Sequence, residues 1–171
     1  KVSGSATVGF GHILRSFTLA QEIRRKNKNC KIYFCINSNK RNYIKKILKD
    51  FDLIYTDKSE NFLNLLKKRE INVIIFDELE DNLLLIKKIK NINKKIFLVG
   101  LDYYFKNNFL DLIINLFDHN KNITKKNTNV FTGIKYAIIR KSFLNKDYKL
   151  KKIIYEKKNI MISFGGSDKK S

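Results

Sequence analysis

Residues 72–100, NVIIFDELEDNLLLIKKIKNINKKIFLVG, contain the clearest secondary-structure pattern of this chain. The stretch begins with the apolar run NVIIFD at 72–77 and ends with a second apolar run, KIFLVG, at 95–100. Short, continuous apolar runs are typical of strands that are buried on both faces. Between them, DNLLLIKKIKN has the length and composition of a helix. A strand, a helix and a strand in this order predict a crossover unit of a parallel sheet.

The same alternation extends in both directions from this unit. We predict one helix over about Ile13 to Lys26, because apolar residues recur there at helical spacing. Two further helices are predicted, at RNYIKKILKDF (41–51) and ENFLNLLKKRE (60–70). Three further strands are predicted, at KIYFCI (31–36), LIYT (53–56) and DLIINL (111–116). The expected fold class is therefore α/β, a doubly wound parallel sheet of the Rossmann-like type.

The pattern becomes irregular after Leu116, where a polar connection begins. We interpret residues 1–144 as a Rossmann-like amino-terminal domain and residues 145–158 as a lysine-rich linker. The run NIMISFGGSD then has the pattern of a strand that enters a glycine turn and opens a further α/β unit. Residues 159–171 are therefore expected to be the first strand and turn of a truncated carboxyl-terminal domain. The amino terminus, KVSGSATVG, likewise has only the tail of an expected first strand.

The chain is strongly basic, with 36 Lys and Arg residues against 16 Asp and Glu residues and a formal net charge of +20. Such a charge attracts phosphates, and it permits nucleic acid as a partner. The lysines are distributed over the predicted helices and loops and do not form a stripe interleaved with aromatic residues. We therefore interpret them as a solvated surface, and nucleic acid is not the expected partner.

Composition also limits the remaining classes of partner. No run approaches the roughly 20 apolar residues of a membrane span, and no signal peptide is recognisable, so we expect a cytoplasmic protein without a membrane partner. The only cysteines, Cys30 and Cys35, have an odd spacing that would point them to opposite faces of one strand, which predicts free thiols. No His/Cys cluster has zinc-ligand spacing, and neither a metal nor a cofactor is expected.

Residues 8–17, VGFGHILRSF, form the turn that leads into the first predicted helix. In doubly wound sheets, ligands bind beyond the carboxyl ends of the strands, often at the first such turn. Gly9 and Gly11 offer unusual backbone torsions and close approach of a ligand, and a helix start offers N–H groups suited to phosphate. His12 would lie where the helix dipole favours the neutral imidazole that a general base requires. The turn alone does not decide between a catalytic histidine and a polar residue at a helix start.

A second glycine turn, ISFGGSD, follows the last apolar run. In outline it is another phosphate-binding turn. Its candidate ligand contacts are Gly165, Gly166, Ser167 and Asp168. Two such turns, each at the mouth of its own sheet, predict a cleft between two α/β domains.

Three blocks of sequence together resemble a known enzyme family. They are Gly9-x-Gly11-His12-x-x-Arg15, TGIKYAIIRKSF and ISFGGSD, in that order. They resemble UDP-2,4-diacetamido-2,4,6-trideoxy-β-L-altropyranose hydrolase of pseudaminic acid biosynthesis and the related spore-coat polysaccharide proteins, which share the two-domain glycosyltransferase-B fold. The resemblance spans the whole chain but only the amino-terminal half of the family's architecture. It implies that a missing carboxyl-terminal domain carries most uridine contacts, and that the chain alone is inactive.

The resemblance also implies a reaction and roles for residues. Water would attack the anomeric carbon of the UDP-sugar and release UDP with inversion, with His12 as the candidate base. Arg15 would face the phosphates or pair with a carboxylate. The second glycine turn would border the diphosphate. A true transferase of the same fold and a basic nucleic-acid-binding or scaffold module remain the alternatives.

The family pattern is not complete in this chain. Leu79 stands where the family often has a tyrosine after its Asp-x, and Ile134 replaces a usual proline, so the exact sugar stays open. Asp77 and Asp102 end two predicted strands. Each could contact substrate, but a carboxylate at this position also commonly caps the next helix.

Overall fold

The computed structural model describes residues 1–3, 10–38, 40–56, 59–78, 80–105, 107–117 and 128–144. The strands are Val2–Ser3 (β1), Tyr33–Asn37 (β2), Asp52–Tyr55 (β3), Val73–Phe76 (β4), Phe97–Leu101 (β5), Leu112–Asn115 (β6) and Asn129–Thr132 (β7). The α-helices are Gly11–Lys26 (α1), Arg41–Ile47 (α2), Ser59–Lys68 (α3) and Leu83–Ile92 (α4). Two short 3-10 helices follow β7, at Ile134–Tyr136 and Lys141–Phe143. The predicted linker and the predicted second glycine turn lie outside the described residues.

The strands pair in parallel throughout the described sheets. One sheet has the order β1-β2-β3 and the other has the order β4-β5-β6-β7. A parallel bridge between Val2 and Asp77 brings β1 alongside the end of β4. The strands then follow the order β3-β2-β1-β4-β5-β6-β7, in which the direction of winding reverses between β1 and β4. The α/β, Rossmann-like class predicted from the sequence is confirmed.

The core consists of two apolar clusters on opposite faces of the sheet. Successive side chains of a strand point to opposite faces, and in β2 Phe34 and Ile36 join one cluster whereas Cys35 joins the other. The first cluster includes side chains of α1 and α2, and the second includes side chains of α3 and α4. Because helices cover both faces, the ends of the strands are where polar side chains gather.

The four α-helices have basic carboxyl-terminal turns. Lysine and arginine are favourable there because they interact with the partial negative charge of the helix end. This placement agrees with the interpretation of the lysines as surface residues. In the part of the chain that the structure describes, none of the helices combines the length and apolarity that a membrane span requires.

Three details differ from the predicted elements. β7 lies within the stretch interpreted as a polar connection. It pairs with β6 at the edge of the sheet and exposes Asn129 and Phe131, so it lacks the continuous apolar run of a buried strand. The helix predicted at 41–51 ends earlier, at Ile47. Cys30 precedes β2 rather than lying on it, and both cysteines are free, as expected.

Candidate functional site

The candidate site lies at the carboxyl edge of the sheet, where the strand order reverses. β1 and β4 are neighbours there, and the helices that follow them, α1 and α4, pack on opposite faces. In doubly wound sheets, helices that diverge in this way leave a crevice beyond the strand ends, and ligands usually bind there. His12 lies in the first turn of α1, whereas Asp77 follows β4 and Asp102 follows β5.

His12 and Asp77 form the centre of the site. His12 Nδ1 and Asp77 Oδ1 are 2.6 Å apart, and Asp77 is 0% exposed. Burial alone would raise the pKa of Asp77, but the hydrogen bonds from His12 and Arg15 outweigh it and hold that pKa below its usual value. Asp77 is therefore an ionised acceptor, and Nδ1 carries the proton that is donated to it. In the neutral ring the lone pair then belongs to Nε2, which has no hydrogen-bond partner among the described residues.

Three side chains of α1 reach the same carboxylate. His12, Arg15 and Ser16 occupy positions i, i+3 and i+4, which places them on one face of the helix. Arg15 Nε donates to Asp77 Oδ2 at 3.1 Å, and Arg15 Nη2 donates to Oδ1. Ser16 Oγ donates to Oδ2 at 2.9 Å. With the bond from His12, these donors fill the roughly four acceptor positions of the carboxylate.

Arg15 connects Asp77 to a second carboxylate. Its Nη1 donates to Asp102 Oδ2, so the guanidinium lies between carboxylates from neighbouring strands. Burial opposes its charge, but the two carboxylates dominate and raise the pKa of Arg15 above its usual value. Arg15 Nη2 lies 3.2 Å from His12 Nδ1, a contact and not a hydrogen bond, because Nδ1 already donates to Asp77. Of the two roles predicted for Arg15, the structure shows pairing with carboxylates.

The start of α1 has main-chain donors beside His12. The first helical hydrogen bond runs from Leu14 N–H to Phe10 O at 3.0 Å, and Phe10 supplies no side-chain cap. The N–H groups of residues 11–13 have no acceptor among the described residues. Gly11 does not use the unusual torsions open to glycine, because it is helical, and a Cβ there would have no neighbour within 4 Å among the described residues. Its missing side chain instead leaves room above the helix start.

The alternative interpretation of Asp77 and Asp102 as helix caps is also wrong. Asn82 is the N-cap of α4, and bends rather than a helix follow Asp102. The Asp77 carboxylate instead accepts hydrogen bonds from side chains of α1, namely those of His12, Arg15 and Ser16. The contact from Ser16 was not predicted, although its position one turn after His12 was an available signal.

Five other predicted site residues fall outside the described part of the chain, and their roles stay predictions. They are Gly9, Gly165, Gly166, Ser167 and Asp168.

A small cavity of about 120 Å³ opens beside Arg15 and Asp102. Its other walls are mostly apolar and consist of Leu101, Ile114, Leu116, Tyr136, Ala137 and Ile138. Ligand pockets usually begin at about 300 Å³, so this one fits a single substituent of a ligand. A larger cavity of about 330 Å³ lies between β2 and β4, has mainly apolar walls and reaches neither His12 nor Asp77. Within the described residues, no cluster of His, Cys, Asp and Glu has the composition of a metal site.

The fold and the site together define an α/β protein of the Rossmann-like type with a His–Asp pair at the point where the strand order reverses. Its sequence is 32% identical over 178 aligned residues to an uncharacterized protein of Methanocaldococcus jannaschii. The alignment covers 96% of this chain and 36% of that protein, so the chain spans about a third of its relative's length. No protein-family model matches the sequence.

Proposed function

We propose that the full-length protein is a UDP-sugar hydrolase with His12 as its general base. Water attacks the anomeric carbon of UDP-2,4-diacetamido-2,4,6-trideoxy-β-L-altropyranose and gives up its proton to His12 Nε2. The bond between that carbon and the diphosphate oxygen breaks, and UDP leaves with the bonding electrons. Attack from the face opposite the diphosphate inverts the configuration at the anomeric carbon, and the free sugar would serve pseudaminic acid synthesis.

The observation that supports this proposal is the hydrogen bond from His12 Nδ1 to the buried Asp77 carboxylate. A general base needs a fixed tautomer with its lone pair directed outward, and a carboxylate on the other ring nitrogen supplies both. The charge of Asp77 also stabilises the imidazolium that forms when Nε2 takes the proton. General base catalysis of this kind contributes about 10²–10⁴-fold to a rate.

The start of α1 would assist the departing diphosphate. The N–H groups of residues 11–13 lie in the same helical turn as His12 and lack acceptors among the described residues. A helix start also carries about half a positive elementary charge, which favours a phosphate. Arg15 is not required as a direct phosphate ligand, because its Nε and both terminal nitrogens already contact carboxylates.

The substitution His12→Asn tests the proposed base. Asparagine keeps a side-chain N–H that can reach Asp77 but has no basic nitrogen in place of Nε2. We expect kcat for UDP release by the full-length protein to fall about 100-fold or more, within the range for loss of a general base, with a small change in KM. Release of UDP is followed by a coupled assay, and the anomer first formed is identified by NMR.

Gln21→Ala is the matched control, because Gln21 is an exposed residue of the same helix. Its kcat should equal that of the wild-type protein. A loss of less than about tenfold in His12→Asn would remove His12 from the base role. UDP release that requires an added acceptor would identify a transferase instead. Binding of oligonucleotides with a steep salt dependence and no response to the UDP-sugar would favour the nucleic-acid alternative.

A further inference from the structure

Among the described residues, Asp102 has no hydrogen bond to His12, yet both side chains belong to the group of charges around Arg15. Arg15 Nη1 donates to Asp102, whereas Nε and Nη2 donate to Asp77. The guanidinium is planar and its N–H groups have a fixed geometry, so fixing one side of it fixes the other. The position of Asp102 therefore determines where Arg15 holds the Asp77 carboxylate.

The backbone of Asp102 adopts a conformation that a non-glycine residue rarely takes, with φ of 46°. Its N–H donates to Ile114 O at 2.9 Å, and its Oδ1 accepts from Leu116 N–H at 2.8 Å. The Tyr104 hydroxyl donates to the same Oδ1 at 3.3 Å. Burial, together with Asp102, raises the pKa of Tyr104, so this hydroxyl keeps its proton. The carboxyl-terminal end of β6 thus binds both the main chain and the side chain of Asp102.

The next residue, Tyr103, is also fixed by hydrogen bonds of its main chain and its side chain. Its main-chain N–H donates to Asn115 Oδ1 at 2.9 Å, and Asn115 Nδ2 donates back to Tyr103 O at 3.3 Å. The Tyr103 hydroxyl donates to Asp81 at 2.8 Å and accepts from Asn107 at 3.0 Å. Burial raises the pKa of Tyr103 to about 12, so it remains a donor at neutral pH. A strained conformation persists only where its surroundings over-determine it, and such residues cluster at functional sites.

We propose that Asp102 is a positioning residue for the His12–Asp77 pair and acts through Arg15. Asp102 fixes the guanidinium, the guanidinium fixes the two oxygens of Asp77, and Asp77 orients the imidazole of His12. The carboxylate of Asp102 does not touch the reacting atoms. The kinetic consequence of this arrangement rests on the proposed hydrolase function, whereas the structural consequence does not.

The substitution Asp102→Asn tests the contact between Asp102 and Arg15 while it keeps the local backbone conformation. Asparagine tolerates positive φ and keeps an oxygen for Leu116 N–H, but it turns an amide N–H toward Arg15, which cannot accept it. We expect kcat for UDP release to fall about 10- to 100-fold, as small misplacements of catalytic groups do, with KM within about twofold. In the full-length protein with ¹⁵N-labelled histidine, the downfield NMR signal of His12 Nδ1–H should weaken by exchange with solvent.

Asp52→Asn is the matched control, because Asp52 is exposed at the start of β3, at the opposite edge of the sheet. Its kinetics and NMR signal should equal those of the wild-type protein. Asp102→Gly, which accepts positive φ without strain, replaces Asp102→Asn if the latter fails to fold. A double variant, Arg15→Gln with Asp102→Asn, should lose less than about twofold in kcat relative to Arg15→Gln alone, because the two residues act in series.

Three results would overturn the role of Asp102. They are an unchanged His12 signal in Asp102→Asn, an unchanged kcat, and a raised KM with unchanged kcat, which would mean direct contact with substrate. If the wild-type protein releases no UDP, the hydrolase proposal fails. The positioning role of Asp102 is then tested only by the His12 NMR signal in Asp102→Asn and Asp52→Asn. Loss of the signal in Asp102→Asn but not in Asp52→Asn supports that role, and its retention in both excludes it.

Discussion

Buried or half-buried ion pairs lie at both ends of the strands, the amino edge and the carboxyl edge of the sheet. The two sets of ion pairs contact different kinds of group. At the amino edge, Lys90 of α4 donates to Asp111 Oδ2 at 2.7 Å and to Ile96 O at 2.9 Å. The same carboxylate oxygen accepts from Leu98 N–H at 2.7 Å. At the carboxyl edge, Arg15 and Asp77 hold the ring of His12.

The two sets of contacts differ in whether they leave a polar atom without a hydrogen-bond partner. The Lys90–Asp111 pair satisfies main-chain groups where β5 begins and joins that strand to α4 and to the start of β6, a purely structural role. The carboxyl edge instead uses Asp77 to fix one ring nitrogen of His12 and leaves the other without a partner among the described residues. Similar ion pairs therefore join secondary-structure elements at one end of the strands and orient the imidazole of His12 at the other.

Asp77→Asn should have the largest effect on stability. The substitution removes the charge that compensates the partly buried Arg15, and it replaces one of the two acceptor oxygens that face the donors of α1 with an amide N–H. Breaking a buried ion pair from one side typically costs about 3–5 kcal/mol. We expect the free energy of unfolding at pH 7, measured with urea and circular dichroism, to fall by about 3 kcal/mol.

The pH dependence of the stability loss in Asp77→Asn shows whether the lost charge or the lost packing causes it. Because the pKa of Asp77 is lowered in the folded protein, its stabilising contribution is complete above about pH 4, near the usual carboxyl pKa. The contribution decreases as the pH falls through the lower pKa of the folded state. The stability difference between the wild-type protein and Asp77→Asn should therefore shrink in acid. A difference that stays constant from neutral pH into acid would show that charge is not its cause.

Gly100→Ala should have an intermediate effect, and it tests how closely β5 is packed against the turn that carries Asp102. A Cβ at Gly100 would lie 2.8 Å from Tyr103 Cβ and 3.0 Å from Leu110 Cδ1. Overpacking of this kind costs about 1–3 kcal/mol. We expect a loss of about 2 kcal/mol in the free energy of unfolding, measured in the same way.

Gly11→Ala is the matched glycine control, because a Cβ at Gly11, in the first turn of α1, would contact none of the residues that the structure describes. Its stability should be unchanged or slightly increased. Equal losses in the two alanine variants would contradict the assignment of Gly100 to a close backbone approach.

Lys90→Met should have the smallest effect. Methionine keeps the apolar stem of the side chain but removes the ion pair with Asp111, whose side chain is 33% exposed. A pair of this exposure contributes about 1 kcal/mol. We expect a loss of about that size, with no change in kcat for the proposed release of UDP by the full-length protein. A loss as large as that of Asp77→Asn, or a changed kcat, would remove the distinction between the two edges.

Much of the fold is predictable from the sequence because buried parallel strands and amphipathic helices leave local patterns. The runs at 72–77 and 95–100 became β4 and β5, and the apolar spacing after Ile13 identified α1. β7 was missed because an edge strand needs no continuous apolar run, and the physical signal is therefore weak. The strain at Asp102 was not predictable either, because it depends on hydrogen bonds from β6.

Local patterns along the chain were enough to predict the α/β class. The spacing of His12, Arg15 and Ser16, at i, i+3 and i+4, also puts their side chains on one face of a helix, because helical spacing is a local property. The residues that this helix face contacts, in contrast, are distant in the sequence. Asp77 lies 65 positions from His12, and Asp102 lies 87 positions from Arg15. The two carboxylates come together because β4 lies beside β1 and β5 lies beside β4 in the sheet. That strand order follows from burial of the whole core, which no short stretch of sequence encodes.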